Sequence, residues 1–156
     1  ELMIPLVCDV NELRQLKEYI NEAIKQVNGK EDVCLGTMIE LPRAALMAGQ
    51  IAKEVRYFSF GTNDLTQTTL SVDRDSGLLT ALFDERDPAV IKMLEMAISQ
   101  AKLSNSYIGI CGQAPSDFPE IATLLMDMKI SSISLNPDSV IPFLGNLKNL
   151  YSKSDI

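Results

Sequence analysis

The sequence predicts an α/β fold: a parallel sheet built from βα units. Two observations carry this. Five short apolar runs read as strands, and each leads into a stretch with apolar residues at helical spacing. A third observation orients the sheet toward function. Polar residues collect where strands end, at Glu40, Asn63, Asp64 and Cys111. In parallel α/β folds, ligands bind at the carboxyl ends of the strands.

The elements follow in order. Leu2 to Val7 is a short apolar strand. Asp9 with Glu12 makes a capping box, and Leu13, Leu16, Ile20, Ala23, Ile24 and Val27 mark one helical face ending at Gly29. Val33 to Leu41 is the second strand. Pro42 then suits a first helical turn, followed by an alanine-rich helix to Val55 fit for close packing. Tyr57 to Phe60 is the third strand, leading into the turn Gly61-Thr62-Asn63-Asp64. Asp73 to Asp87 reads as a polar loop holding one turn. Asp87-Pro88 opens a long helix through Ala101, and Tyr107 to Cys111 is the fourth strand. Asp117-Phe118-Pro119-Glu120 repeats the capping signal before a helix to Met128. Ile130 to Leu135 is the fifth strand, and Asn136-Pro137-Asp138 starts the last helix. One domain is expected over residues 1–150, with 151–156 as a frayed tail.

Composition excludes several functions. The chain has 156 residues, 14 Lys plus Arg and a net charge of −7, so it lacks the basic face of a nucleic-acid binder. No apolar run approaches the roughly 20 residues of a membrane-spanning helix. There is no histidine, which removes histidine catalysis, histidine metal sites and a phosphohistidine on this chain. Three irregularly spaced cysteines fit reduced thiols in a cytoplasmic protein. The chain starts at Glu1 inside a strand-like run, and reads as a piece of a longer protein.

Several residues have two readings. Glu40 and Asp64 share a rim, and two hard carboxylates suit Mg²⁺. Alternatively, each caps the next helix or pairs with a cation such as Arg43. Gly61 to Asp64 either cradles an anion or is a tight loop with an Asn or Asp cap. Cys111 either moves protons or packs as a small hydrophobe. Cys8 and Cys34 read as packed thiols. Met38 could line the same pocket as Glu40. The run Asp84-Glu85-Arg86-Asp87 reads as a solvated loop before a capped helix.

Three segments then resemble signatures of the phosphoenolpyruvate-utilising enzymes. They are Gly36-Thr37-Met38-Ile39-Glu40-Leu41-Pro42-Arg43-Ala44-Ala45-Leu46, Phe58-Ser59-Phe60-Gly61-Thr62-Asn63-Asp64-Leu65-Thr66-Gln67, and Gly109-Ile110-Cys111-Gly112-Gln113. The resemblance runs from about Met3 to Leu150. Asp73 to Leu78, Leu82 to Asp87, Ser134 to Asp138 and Gln113 resemble the branch that makes phosphoenolpyruvate from pyruvate, ATP and water. The branch using phosphate, an enzyme I-type barrel and a non-catalytic dimerisation module are the alternatives.

The resemblance implies a TIM-type (β/α) barrel, of which this chain holds the last five of eight units. It implies Mg²⁺ on Glu40 and Asp64, and phosphoenolpyruvate or pyruvate among Glu40, Gly61, Thr62, Asn63 and Asp64. Cys111 would exchange the proton at the substrate's methyl carbon. A phosphohistidine domain and an ATP-binding domain of the parent chain would be partners, and a homodimer is expected. The family's substrate-clamping arginines lie on earlier strands. Arg14, Arg56 and Arg86 fall in helices or loops here and Arg43 just past a strand end, so the isolated chain is expected to be inactive.

Overall fold

The structure, a computed structural model, describes residues 1–29 and 33–151, without the side chains of 148–151. Five strands form one sheet: β1 (Leu2–Ile4), β2 (Leu35–Ile39), β3 (Tyr57–Phe60), β4 (Tyr107–Ile110) and β5 (Ser132–Ile133). Every pair is parallel, and the strand order across the sheet is the chain order. The crossovers hold α1 (Val10–Gln26), α2 (Pro42–Leu46), α3 (Ala48–Ile51), α4 (Thr62–Leu70), α5 (Pro88–Leu103), α6 (Ala114–Asp117) and α7 (Pro119–Asp127). Helix α8 (Pro137–Tyr151) follows β5. Right-handed crossovers between sequential neighbours all fall on the same face of a sheet. A doubly wound sheet would need the order to reverse. The fold is therefore an arc of a (β/α) barrel, as the sequence predicts.

Register explains the two faces. Ile4, Thr37, Phe58 and Ile108 form one row. All four are buried under the helices with Ile39, Phe60 and Ile110. Met38, Ser59, Gly109 and Ser132 form a row on the other face. That face is concave and holds a cavity of 490 Å³ lined by Met3, Tyr57, Ser59, Tyr107, Gly109 and Ser132, among others. Helices α2 and α3 lie on α5 through Ala44, Ala45, Ala48, Ala97 and Ala101, all fully buried.

The capping chemistry is partly as expected. Asp9 accepts from the amides of Asn11 and Glu12, and Glu12 returns a bond to the Cys8 amide at 2.7 Å. Asp87 accepts from the Ala89 amide, and Pro42 and Pro88 occupy first turns. A 3₁₀ turn at Thr80–Leu82 is the one turn foreseen in the polar loop. Other details differ. Helix α1 stops at Asn28 (φ 50°), not by a left-handed Gly29, which instead donates to Ile24 O at 2.8 Å. Asn105 and Lys129 end α5 and α7 in the same left-handed way. This is the Schellman closure, which Asn tolerates best after Gly. The alanine-rich helix is broken at Met47 (φ −100°, ψ 12°). Asp117 lies in the short helix α6 and does not cap α7, whose N-cap is Phe118. Strand β5 keeps only Ser132–Ile133 of the expected run. Tyr151 ends α8, and the rest of the expected tail lies outside the described residues. Among the described residues no helix is long and apolar enough to cross a membrane.

Because one face is filled and the other open, substitutions should divide by face. Phe58 is 0% exposed and Tyr107 is 52% exposed. Phe58→Ala is expected to cost about 3–5 kcal/mol. Tyr107→Ser should stay within about 1 kcal/mol, since exposed positions contribute little. Urea unfolding of the two variants checks the contrast.

Candidate active site

Ile39, Phe60 and Ile110 share one register row. Their successors Glu40, Gly61 and Cys111 therefore leave the sheet side by side at its carboxyl rim. Register alone thus brings Glu40, Gly61 and Cys111, three of the residues singled out in the sequence, to one rim.

Glu40 is 2% exposed. Its Oε1 accepts the Leu6 amide at 2.6 Å. Leu6 has φ 52°, a left-handed backbone that a bulky residue adopts at a cost. That turn aims the amide at the carboxylate. The other oxygen, Oε2, overlaps the place where a Cβ of Gly61 would stand, and the Met38 methyl lies 2.7 Å from that same point. Gly61 itself has φ −99°. Its glycine is thus required by the carboxylate laid over it and not by backbone angle. Asp64 sits in the first turn of α4 and acts electrostatically on Glu40. Burial pushes the Glu40 carboxyl above its ordinary range, and the Asp64 charge adds to this, while the Leu6 bond opposes it.

The structural alternatives for these carboxylates do not hold. Arg43 pairs with Asp9 at 3.1 Å and lies 3.6 Å from Cys8 Sγ. Helix α2 is preceded by Leu41 and α4 by Gly61, neither with a side-chain cap. Among the described residues neither Glu40 nor Asp64 has a salt-bridge partner. Two electrostatically coupled hard oxygen donors without a cation fit a divalent ion. Among the described residues no group of three metal-ligating side chains gathers. Such an ion would complete its shell with water and substrate oxygens, the habit of Mg²⁺.

Cys111 is a free, exposed thiol that opens on the concave cavity with Ser59, Gly109 and Ser134. Its amide and Sγ both donate to Phe60 O, at 3.0 and 3.3 Å. Cys8 and Cys34 are half-buried. Thr62 and Asn63 face elsewhere. Thr62 is 1% exposed and packed so tightly on Gly112 that no Cβ fits there. Asn63 lines a second cavity of 480 Å³ with Arg74, Glu85, Gln113 and Asp117. The sequence reading passed over Arg74, a cation at the rim. It also placed Glu85 in a solvated loop, whereas Glu85 is buried beneath Thr62. Its neighbours Asp84 and Arg86 are the exposed pair, 2.9 Å apart. A cleft of 520 Å³ lies outside, between α1 and α2–α3. Its Arg14 and Arg43 are already paired with Glu54 and Asp9, so it competes poorly as an anion site.

Two expectations follow. Glu40 and Glu85 are acids raised by burial, so the folded chain keeps protons that the unfolded chain loses above pH 4.5. Their contribution is full below 4.5 and declines as pH rises. Asp9, Glu54 and Asp84 are lowered by their partners and act only on the acid side of the same range. Glu85→Gln should therefore flatten the loss of stability between pH 4.5 and neutrality, measured by urea midpoints without divalent ions. Gly61→Ala should cost about 1–3 kcal/mol through overpacking. Gly77→Ala, with nothing within 4 Å, should stay within about 0.5 kcal/mol.

The chain is similar to known proteins over nearly its whole length. Residues 1–151 match the family model for the PEP-binding domain of PEP-utilising enzymes. The chain is 47% identical over 153 residues to a phosphoenolpyruvate synthase of Neisseria meningitidis, covering 98% of this chain and 19% of that protein. It is 44% identical over 142 residues to the phosphoenolpyruvate synthase of Escherichia coli, covering 90% of this chain and 18% of that one. The chain thus spans about a fifth of the length of these relatives. A citrate lyase structure from Burkholderia xenovorans superposes with a TM-score of 0.67 at 12% identity, over 92% of this chain and 47% of that one. An HpcH/HpaI aldolase/citrate lyase family protein from Burkholderia cenocepacia superposes at 0.61 and 12% identity, over 99% and 65%. These two bear on the fold alone. With its rim geometry and a family match over nearly every residue, the chain belongs to the PEP-utilising enzyme family as its PEP-binding domain.

Proposed function

We propose that this chain forms the pyruvate and phosphoenolpyruvate site of an enzyme that makes phosphoenolpyruvate from pyruvate, ATP and water. The observation that carries this is the buried Glu40 carboxylate, coupled to Asp64, with the Cys111 thiol two strands along the same rim. In this reading Glu40 and Asp64 hold Mg²⁺, which when bound supplies positive charge at the enolate oxygen. Gly61 makes the room the Glu40 carboxylate occupies, so its turn runs along the edge of the site; Thr62 holds that turn from beneath and Asn63 reaches the substrate from the neighbouring cavity. Cys111 takes a proton from the pyruvate methyl carbon, leaving the electron pair in the enolate. The enolate oxygen then accepts the phosphoryl group, and in reverse Cys111 returns the proton to carbon.

The phosphoryl donor lies on another domain in this reading, because the chain has no histidine. ATP is bound on a further domain of the parent. The relatives' names support the synthase over the phosphate-using and enzyme I-type alternatives. A cytoplasmic setting agrees with three unpaired thiols. Pairing into a homodimer is proposed through α8, where Ile141 and Leu144 stand exposed on one face. The isolated chain binds but does not turn over, since Arg74 is the one arginine among the residues of the Asn63 cavity.

The test is titration calorimetry of oxalate, a mimic of enolpyruvate, into the chain with and without Mg²⁺. Binding is expected only with Mg²⁺ and is expected to disappear in Glu40→Ala and in Asp64→Ala. Lowering the pH toward 4.5 should weaken it, because protons compete for the raised Glu40 carboxyl. Oxalate binding that ignores Mg²⁺, or survives both variants, overturns the assignment. Phosphate release from ATP plus pyruvate above a blank would overturn the claim that the chain alone is inactive.

A further inference from the structure

The mechanism leaves one buried ionisable group without a task. Glu85, in the segment between the 3₁₀ turn and α5, is 5% exposed. Its carboxyl faces the Thr62 hydroxyl and the Ala114 amide. Yet neither Glu85 Oε1 nor Thr62 Oγ1 has a hydrogen bond of good geometry, and both atoms are shut away from solvent. Buried polar atoms of this kind are rare and call for a role.

Their position supplies one. Thr62 is the first residue of α4, directly after Gly61. Ala114 is the first residue of α6, three residues after Cys111. Gly112 lies against Thr62 with no room for a Cβ. The Cys111 amide and thiol both rest on Phe60 O, the carbonyl just before Gly61. Glu85 therefore sits behind both segments that form the rim, in contact with each.

We propose that Glu85 is a positioning residue, its carboxyl joining the Thr62 hydroxyl and the Ala114 amide into a strut that fixes the Cys111 thiol against the Gly61–Asp64 turn. In that strut the Thr62 hydroxyl and the Ala114 amide donate to the Glu85 carboxyl, whose nearest charged neighbours are acidic. Asp117 of α6 and the adjacent Asp84 are both acidic. Arg74 and Asp75 of the preceding loop line the same cavity, 3.9 Å apart, and Arg86 turns to Asp84, Glu120 and the Phe118 ring. The inference rests on the reading of Cys111 as the proton-exchanging group for its catalytic meaning, but its geometry does not.

Iodoacetamide alkylation of the chain tests it, with Cys8 and Cys34 as internal references and site rates read by peptide mass spectrometry. Glu85→Ala should free the thiol, speeding Cys111 roughly fivefold relative to both references, the worth of about one buried hydrogen bond. The pH profile of the Cys111 rate should move with it. Glu85→Gln keeps shape and hydrogen bonding, and should stay within about twofold of the parent, well under that bond's worth. An unchanged ratio in Glu85→Ala, or Gln behaving like Ala, overturns the proposal. If all three cysteines speed up together, the fold has loosened, and Thr62→Val decides. It preserves volume and removes the hydroxyl, so Cys111 alone must accelerate, and the proposal fails if it does not. The oxalate titration reads the Mg²⁺ site separately, so loss of that assignment leaves this contrast to stand by itself.

Discussion

Everything in this molecule depends on the strand order. Parallel strands in chain order put every strand end on one rim, and the right-handed crossovers that βα units adopt put the helices on one side. The helix side then becomes the core, filled by Ile39, Phe58, Phe60, Ile108 and Ile110. The opposite side receives what the core rejects. There Tyr57 covers Gly36, a Cβ on Gly109 would meet Ser132 Oγ at 2.6 Å, and Ser59 lies between them. Small residues in the Ser59, Gly109 and Ser132 row keep the space beneath Cys111 open.

That rim gathers two carboxylates, Glu40 and Asp64, and neither has a salt-bridge partner among the described residues. A buried carboxylate is costly unless it is hydrogen-bonded, paired or protonated. Glu40 has one backbone amide, delivered by a leucine in a left-handed conformation, and a second carboxylate nearby. Such an arrangement relaxes when a proton or a metal ion joins it. In the proposed reading, the groups that make this rim less stable at neutral pH are the ones that would take a divalent cation with its own water and substrate ligands.

Much of this was legible in the sequence, and the exceptions have physical causes. Local chemistry reads well: Asp9 and Glu12 form their box, Pro42 opens α2 and Asp87 caps α5, because each acts within four residues. Glu40 and Asp64 were legible from strand ends and from family signatures. Glu85 was not, because a run of Asp, Glu, Arg and Asp looks uniformly solvated, and only the tertiary fold turns one of its four side chains inward. Arg74 was missed for a related reason. Its segment belongs to no regular element, and what brings it to Asn63 is the return of the loop over α4, held in part by the Arg74 amide on Gln67 Oε1 at 3.1 Å. The stop at Asn28 was misassigned to Gly29 because either residue type tolerates the left-handed angle.

The contact between Thr62 and Gly112 separates two spaces that consecutive residues serve. Cys111 opens on the concave cavity, while Gln113 lines the cavity of Asn63, Arg74 and Glu85. Because no Cβ fits at Gly112, the partition is set by backbone packed on a buried threonine and not by mobile side chains. A thiol on one side and an arginine with two amides on the other give two different environments within one turn of chain. The first is where the proposed reading has a proton come and go at carbon. The second sets Arg74, paired with Asp75, and two side-chain amides against the carboxyls of Glu85 and Asp117. Glu85 lies under the partition and touches both of its walls. A single buried carboxyl is therefore the element through which a disturbance in either space would reach the other.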